Sequence, residues 1–220
     1  MKKYLSIAYS IILAGLLSAC GVKYVQPVTE LPDSFLGNVR VESINVSLAD
    51  SFVSRLDEEI KNARERRDKA ERTINSKNKI KKSLVRKAKK NVKRYGNRVV
   101  NIEKEKTIIV DSVRGAVKEK LATLQDGTNP VDVNITISSY NVSSSGRVVL
   151  LGVNDYVYAN MKIYSSVTGG VVGEYSVSEV SANGGGLGVL LVKAFMSFEK
   201  QLLNNFSEKV KLVLLKRDLP

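Results

Sequence analysis

The chain has 220 residues, with 35 Lys and Arg against 22 Asp and Glu, and a net charge of +13. It has no His and only one Cys, Cys20. This composition excludes Ser-His-Asp and Cys-His catalysis, histidine metal sites and an intramolecular disulfide. Because 43% of the residues are hydrophobic, the chain can bury a core and is not globally disordered. The length favours a single domain.

The amino terminus is typical of a secretory signal peptide. Basic residues at positions 2 and 3 precede an apolar stretch at 5–17, which is too short to span a bilayer comfortably. Residues 17–21, Leu-Ser-Ala-Cys-Gly, resemble the lipobox of bacterial lipoproteins, in which the Cys20 thiol accepts diacylglycerol. We predict a signal peptide at 1–19 and acyl chains, including palmitate, on Cys20. An uncleaved signal anchor with a chance cysteine is the alternative.

The predicted lipid modification indicates where the chain resides. Two or three acyl chains hold a protein durably on a membrane, because each buried methylene contributes about 0.8 kcal/mol. By resemblance to proteobacterial lipoproteins, Gly21 after the cysteine implies export to the outer membrane, facing the periplasm. Residues 20–38 contain Pro27 and Pro32 and no clear periodicity, so we predict an extended acylated tether.

A strand and a helix are predicted to open a single domain at 39–220. Apolar residues change parity within 39–47, which indicates a strand with a bulge near Glu42 and Ser43. Ser47 or Asp50 is then expected to cap a helix. The apolar stripe of that helix is Phe52, Val53, Leu56, Ile60 and Ala63.

Residues 61–94 concentrate the positive charge of the chain. This segment holds sixteen Lys or Arg and three acids, a net charge of +13, so the remaining residues balance to zero. Residues 75–78 predict a turn, and Ile80, Leu84, Ala88 and Val92 recur at a spacing of four. We predict an inserted basic helical hairpin at about 61–96, ending near Tyr95 and Gly96. Its polar faces leave little surface to bury, so the hairpin is expected to project from the domain.

The basic hairpin predicts contact with a polyanionic surface, such as anionic phospholipid, lipopolysaccharide phosphates or peptidoglycan carboxylates. Tyr95 alone offers base stacking, so we do not expect nucleic acid as a partner. The alternative is a solvated, coiled-coil-like hairpin whose charges keep it soluble or meet an acidic protein. The candidate polyanion-binding residues are Arg64, Arg66, Arg67, Lys79, Lys81, Lys82, Arg86, Lys87, Lys89, Lys90, Lys93 and Arg94.

The second half of the chain predicts a helix, three strands and a closing helix. Residues 108–124 carry apolar residues at a spacing of four, and residues 131–138 and 155–165 alternate between apolar and polar. Thr168-Gly169-Gly170 is typical of a tight turn into a strand at 171–180. A long helix is expected to run from the glycine-rich 184–188 stretch to about Leu215. The predicted fold class is α+β, an antiparallel sheet of about four strands with helices packed on one face.

Tyr156, Tyr158 and Tyr164 share one strand face, opposite the aliphatic set. If that face is open, it is an aromatic platform suited to glycan or protein partners. If a helix covers it, the rings belong to the core, and we expect the face to be in the core or partly covered. The carboxylates form no persuasive acid–base pair, and the glycine run lacks the Lys-Ser/Thr of a phosphate-binding loop. We therefore predict no enzyme, no cofactor and no metal site.

Several features between residues 131 and 215 resemble a group of small, glycine-rich bacterial lipoproteins. They are Gly146-Arg147, the apolar segment 148–152, the hairpin at Thr168-Gly-Gly-Val, the 184–188 run and the final helix. This group is similar in outline to the α/β domain of the curli-secretion lipoprotein and to the amino-terminal domain of the Tol translocation protein. The resemblance implies an envelope assembly or accessory role and supplies no functional residues.

These features together predict a non-enzymatic envelope lipoprotein that binds a polyanionic surface through its basic hairpin. The alternative is an oligomeric secretion-channel accessory component, in which the hairpin is a contact between subunits. Partners are then the membrane, through the acyl chains, and an anionic lipid, lipopolysaccharide, peptidoglycan, an envelope protein or further copies of the chain.

Overall fold

A computed structural model describes residues 25–76, 81–142, 155–181 and 198–215. The strands are β1 (Val25–Thr29), β2 (Val39–Leu48), β3 (Asn129–Asn141), β4 (Asp155–Ser165) and β5 (Val171–Ser181). The helices are α1 (Asp50–Asn75), α2 (Lys82–Leu121) and α3 (Phe198–Leu215). The predicted signal peptide, Cys20, the 146–154 connection and the 184–188 glycine run lie outside the described residues.

The sheet has five strands in the order β1-β5-β4-β3-β2. Neighbouring strands are antiparallel except β2 and β3, which are parallel. The prediction of about four antiparallel strands is therefore wrong in the strand count and in this one pair. Parallel strands require a long connection, because the chain must return to the end of the sheet at which the first strand began. Helices α1 and α2 form that connection between β2 and β3. The predicted bulge is confirmed by a register shift between Val41 and Ser43.

The predicted tether is wrong from residue 25 onward, because this segment belongs to the folded domain. Strand β1 pairs with β5, and Val25 and Leu31 are buried. The backbone N–H of Leu31 donates a hydrogen bond to the Tyr175 hydroxyl at 2.6 Å, and the N–H of Gly37 donates to the carbonyl of Leu214 at 2.9 Å. The sequence did not predict this strand because Pro27 lies within it. Proline is tolerated in an edge strand, but it interrupts the alternating pattern from which a strand is predicted.

The first basic helix has the predicted extent, whereas the second is longer than predicted. Helix α2 runs through Gly96 and includes the helix predicted separately at 108–124. A glycine costs a helix about 1 kcal/mol, and burial of Val99 and Ile102 beyond it outweighs that cost. The first helix begins after Ala49, which makes no side-chain cap, so the prediction of a Ser47 or Asp50 cap is also wrong.

One face of the sheet forms the core with the helices. The alternation predicted for β3 and β4 is confirmed, since Val133, Ile135, Met161 and Ile163 are at most 1% exposed. Helix α3 covers this face with a stripe of buried residues: Leu202, Phe206, Val210 and Val213. Gly169 adopts φ +70°, as the predicted turn requires. In the ranges described, no helix is long and apolar enough to cross a membrane.

Candidate functional site

Helices α1 and α2 lie side by side in opposite directions. Lys106 on α2 pairs with Asp57 near the start of α1, whereas Arg66, farther along α1, reaches back to Tyr95. Seam residues alternate at spacings of four and three, the heptad pattern of a coiled coil. They are Leu56, Ile60, Ala63, Arg67 and Ala70 on α1, and Ala88, Val92, Tyr95, Val99 and Ile102 on α2. The turn between the two helices includes residues outside the described ranges.

The helix pair divides into two regions with different interiors. We call residues 61–94 the distal arm, and residues 50–60 and 95–121 the proximal part. The proximal part joins the core of the domain through large buried residues, among them Phe52, Leu56, Ile109 and Val113. Among the described residues of the distal arm, the buried side chains are those of Ala63, Ala70 and Ala88, and the last two lie outside the core cluster. Beyond Ala63, the described part of the arm therefore extends about 20 Å from the core, and there α1 packs against α2.

Ion pairs connect the helices mainly at the proximal part. Asp57 contacts Lys106 at 2.5 Å, and Glu59 contacts Arg98 at 2.7 Å. The proximal part has seven basic and eight acidic residues, a net charge of −1, against +13 for the distal arm. Adjacent lengths of the same helix pair thus carry very different charge.

Most of the predicted polyanion-binding residues are exposed and have no acidic partner among the described residues. Arg64 pairs with Glu103 at 3.0 Å, and Arg67 contacts Asp68 and Glu71. Lys79 lies outside the described residues. Nine others are exposed, and none forms an ion pair within the described part of the chain: Arg66, Lys81, Lys82, Arg86, Lys87, Lys89, Lys90, Lys93 and Arg94.

A groove between the helices, about 290 Å³ in volume, lies where the distal arm meets the proximal part. The guanidinium carbons of Arg66 and Arg94 are 6.0 and 5.9 Å from the centroid of the Tyr95 ring. Both distances fall within the range of a cation–π interaction. The full lining is Glu59, Asn62, Ala63, Arg66, Arg94, Tyr95 and Arg98. We call this the arginine groove.

The sequence prediction missed the arginine groove because it ended the second helix near Gly96. Asn62 and Arg98 were therefore not singled out, and Tyr95 was assigned to a helix end. The signal was present in the heptad spacing, which places Tyr95 in the seam between Val92 and Val99.

Of the two arrangements expected for the tyrosine face, buried in the core or partly covered, the described residues show the second. None of the three rings is buried: Tyr158 is 40% exposed, and Tyr156 and Tyr164 are half-buried. Their face also carries Thr136, Asn160 and Ser176, which are neighbours across three adjacent strands. A groove of about 590 Å³ runs along this face. The helices pack on the opposite, aliphatic face because only that face offers continuous apolar surface.

A buried charge cluster near the far end of β5 ties α3 to the sheet. The Lys209 ammonium contacts the Glu179 carboxylate and donates to the Ser178 carbonyl at 3.0 Å. Asn205 donates to the same carboxylate at 3.3 Å. Nearby, the Tyr140 hydroxyl donates to Glu199 at 2.8 Å, and burial together with this carboxylate raises the pKa of Tyr140. Buried charges persist only when they are paired, so removal of either partner would destabilise the packing of α3 on the sheet.

Comparisons with known proteins give weak likenesses in fold. No protein-family profile matches the chain, and no curated protein matches it. The PelC dodecamer from Paraburkholderia phytofirmans is 8% identical with a TM-score of 0.40, over 87% of this chain and 97% of that chain. The lipoprotein GNA1162 from Neisseria meningitidis is 15% identical with a TM-score of 0.24, over 71% of this chain and 92% of that chain. These neighbours include a lipoprotein, as the resemblance implies, but similarity at this level carries no argument about function.

Proposed function

We propose that this chain is a membrane-anchored lipoprotein of the bacterial envelope that works by binding and not by catalysis. In this proposal, acyl chains on Cys20 hold it on the outer membrane, facing the periplasm. The distal arm then contacts a polyanionic surface, namely anionic phospholipid, lipopolysaccharide or peptidoglycan. The observation that carries the proposal is the set of nine exposed cations of the arm that have no ion pair among the described residues.

The arrangement of these cations does not serve the stability of the arm. Helix α2 begins at Lys82 after Lys81, with no acidic residue in its first turn and no side-chain cap. Positive charge at a helix amino terminus opposes the helix dipole, and an acid there would be favourable. Lys82, Arg86, Lys90 and Arg94 also follow one another at i,i+4 spacing, where like charges repel. A binding role explains why the arm keeps charges that destabilise it.

Vesicle co-sedimentation tests this proposal with the chain lacking residues 1–20, which keeps every residue that the structure describes. The arm variant changes Lys87, Lys89 and Lys90 to Gln. The control variant changes Lys104, Lys118 and Lys211 to Gln, so both variants lose three positive charges. Each cation near an anionic surface contributes about 1 kcal/mol, so the arm variant should bind anionic vesicles on the order of 100-fold more weakly at low salt.

The control should bind nearly as well as the unmodified chain, and high salt should release all three proteins from the vesicles. Peptidoglycan sacculi in place of vesicles would identify which polyanion is preferred. Equal losses in both variants would overturn the role of the arm, because they would show a response to net charge alone.

A second candidate function is an oligomeric secretion-channel accessory component. The open sheet face favours it, because Asn and Ser residues, which are disfavoured in strands, occupy central positions there. Ser176 donates a hydrogen bond to Asn160 at 3.0 Å across this face. Sedimentation equilibrium of the chain lacking residues 1–20 tests the assembly. Concentration-dependent association that Asn160→Lys abolishes would favour this function, and a monomer at all concentrations would exclude assembly through this face.

A further inference from the structure

We propose that the arginine groove binds a phosphate monoester, the doubly charged group that a lipid headgroup or free phosphate can present. This inference rests on the proposed function, since it assigns a specific anionic group to the distal arm. It goes further because a general electrostatic surface would not distinguish one kind of phosphate from another.

The charge of the groove matches that ligand. Three arginines and one carboxylate line it, a net charge of +2. Arg98 is paired with Glu59 at 2.7 Å, so its charge is already balanced. Arg66 and Arg94 form no ion pair within the described residues, and they carry the remaining two charges. A phosphate monoester bears about −1.5 to −2 at neutral pH and therefore neutralises both.

Two guanidinium groups of the groove lie around a single aromatic ring. Both lie near the Tyr95 ring, at 6.0 and 5.9 Å, so their central carbons are at most 11.9 Å apart, the sum of these distances. Each guanidinium offers a planar fork of donors that matches two phosphate oxygens. A monoester presents three terminal oxygens to the two forks, whereas a diester presents only two and a single charge. The amide of Asn62, which also lines the groove, adds a neutral donor.

Tyr95 gives the groove a defined arrangement in addition to its charge, because both arginines lie near its ring. It occupies a seam position of the helix pair, where its ring is half-buried. Two like charges repel each other when brought together without a ligand. Attraction of both cations to one ring offsets part of that repulsion. The groove is therefore partly organised before the anion arrives.

The test compares vesicles containing phosphatidic acid, a monoester, with vesicles containing phosphatidylglycerol, a diester, at equal measured surface potential. The chain lacking residues 1–20 is used, with the variants R66K/R94K and R72K/R86K. Both variants keep the full charge of the arm, and only the first alters the groove. Tyr95→Leu is a further variant that keeps every charge but removes the ring.

The unmodified chain and R72K/R86K should bind phosphatidic acid vesicles about tenfold more tightly than phosphatidylglycerol vesicles. R66K/R94K and Tyr95→Leu should lose this preference while still binding both vesicles with strong salt dependence. Inorganic phosphate is added as a competitor at constant ionic strength. If it displaces the chain from phosphatidic acid vesicles, the groove recognises the free anion. If the preference for phosphatidic acid persists and phosphate does not compete, the groove requires the headgroup at a membrane.

No preference in the unmodified chain, or an unchanged preference in R66K/R94K, would overturn the inference while leaving the proposed function intact. The proposed function itself would be overturned if the unmodified chain bound neither anionic vesicles nor peptidoglycan sacculi. Circular dichroism of each variant confirms that the helices remain folded.

Discussion

The distal arm and the proximal part are continuous lengths of the same two helices, yet they are stabilised in opposite ways. The proximal part buries large apolar residues and neutralises its charges by ion pairs between α1 and α2. The distal arm buries alanines and carries a net charge of +13. A helix pair can thus be anchored at one end by hydrophobic burial and, at the other, expose charge at a cost in stability. Under the proposed function, the arm keeps this charge for the anionic surface that it binds.

The largest expected effect comes from removing core packing in the proximal part. Ile109 is 2% exposed, so Ile109→Ala leaves a cavity and should lower the free energy of unfolding by about 2–5 kcal/mol. Leu84, on the distal arm, is 51% exposed, and Leu84→Ala should change it by less than about 0.5 kcal/mol. Urea denaturation measures both. Comparable losses would show that the arm shares the core of the domain.

A charge reversal in the arm should stabilise it and weaken its function at once. Lys90 has Arg86 and Arg94 at i−4 and i+4, so Lys90→Glu converts two repulsive pairs into attractive ones. At about 0.2–0.5 kcal/mol for each repulsion removed or attraction gained, the arm should gain about 1 kcal/mol. Amide hydrogen exchange in residues 81–94 should slow about fivefold, while anionic vesicle binding weakens.

Lys104→Glu is the matched control for this reversal, because Val100 and Ile108 flank it at the same spacing. It should leave exchange in the arm unchanged. If Lys90→Glu speeds exchange in the arm, repulsion between its cations is not what limits its stability.

A smaller effect is expected at the ion pairs that join the proximal helices. Lys106→Met removes the partner of Asp57 and should cost about 0.2–1 kcal/mol, the range for exposed pairs. Lys104→Met, two residues earlier on the opposite side of the helix and without a described acidic partner, serves as the comparison. Thermal unfolding at low and high salt measures both, and the cost should shrink as salt screens the pair.

The smallest expected effect is a pH dependence in the proximal part. Partial burial, and to a lesser degree Glu59, raises the pKa of Glu105 above its ordinary value of 4.5. A carboxyl group whose pKa is raised by folding favours the folded state while protonated, so its contribution is lost as pH rises above 4.5.

Glu105→Gln should therefore stabilise the domain at pH 7, by less than about 0.5 kcal/mol because the side chain is only partly buried, and should have no effect well below pH 4.5. Urea denaturation at both pH values measures the difference. Destabilisation at pH 7 would mean that the carboxylate is favourable in the folded state.

The parts of the fold that depend on local pattern were predictable from the sequence. Strict alternation gave the bounds of β4, and Gly169 marked the turn before β5. The parallel pairing of β2 with β3 was not predictable, because it joins segments that are about ninety residues apart in the chain. Strand β1 was hidden by its proline and by partners at the other end of the sequence.

The candidate site was predictable in its charge but not in its geometry. The density of Lys and Arg at 61–94 is a property of the sequence and identified the arm directly. The arginine groove depends on the register between α1 and α2, which places Arg66 beside Tyr95. That register is set by buried residues of the proximal part such as Ile60 and Val99, which lie outside the basic 61–94 segment. The sequence of the basic segment alone therefore does not predict the register between the two helices.

Amide hydrogen exchange of the chain lacking residues 1–20, with and without anionic vesicles, tests the central claim most directly because it reports on both regions at once. Without vesicles, the distal arm should exchange faster than the proximal part, since it buries so little apolar surface. With vesicles, residues 61–94 should become protected while the proximal part and the open sheet face stay unchanged. Protection confined to the sheet face or the proximal part, with no change in the arm, would contradict the account.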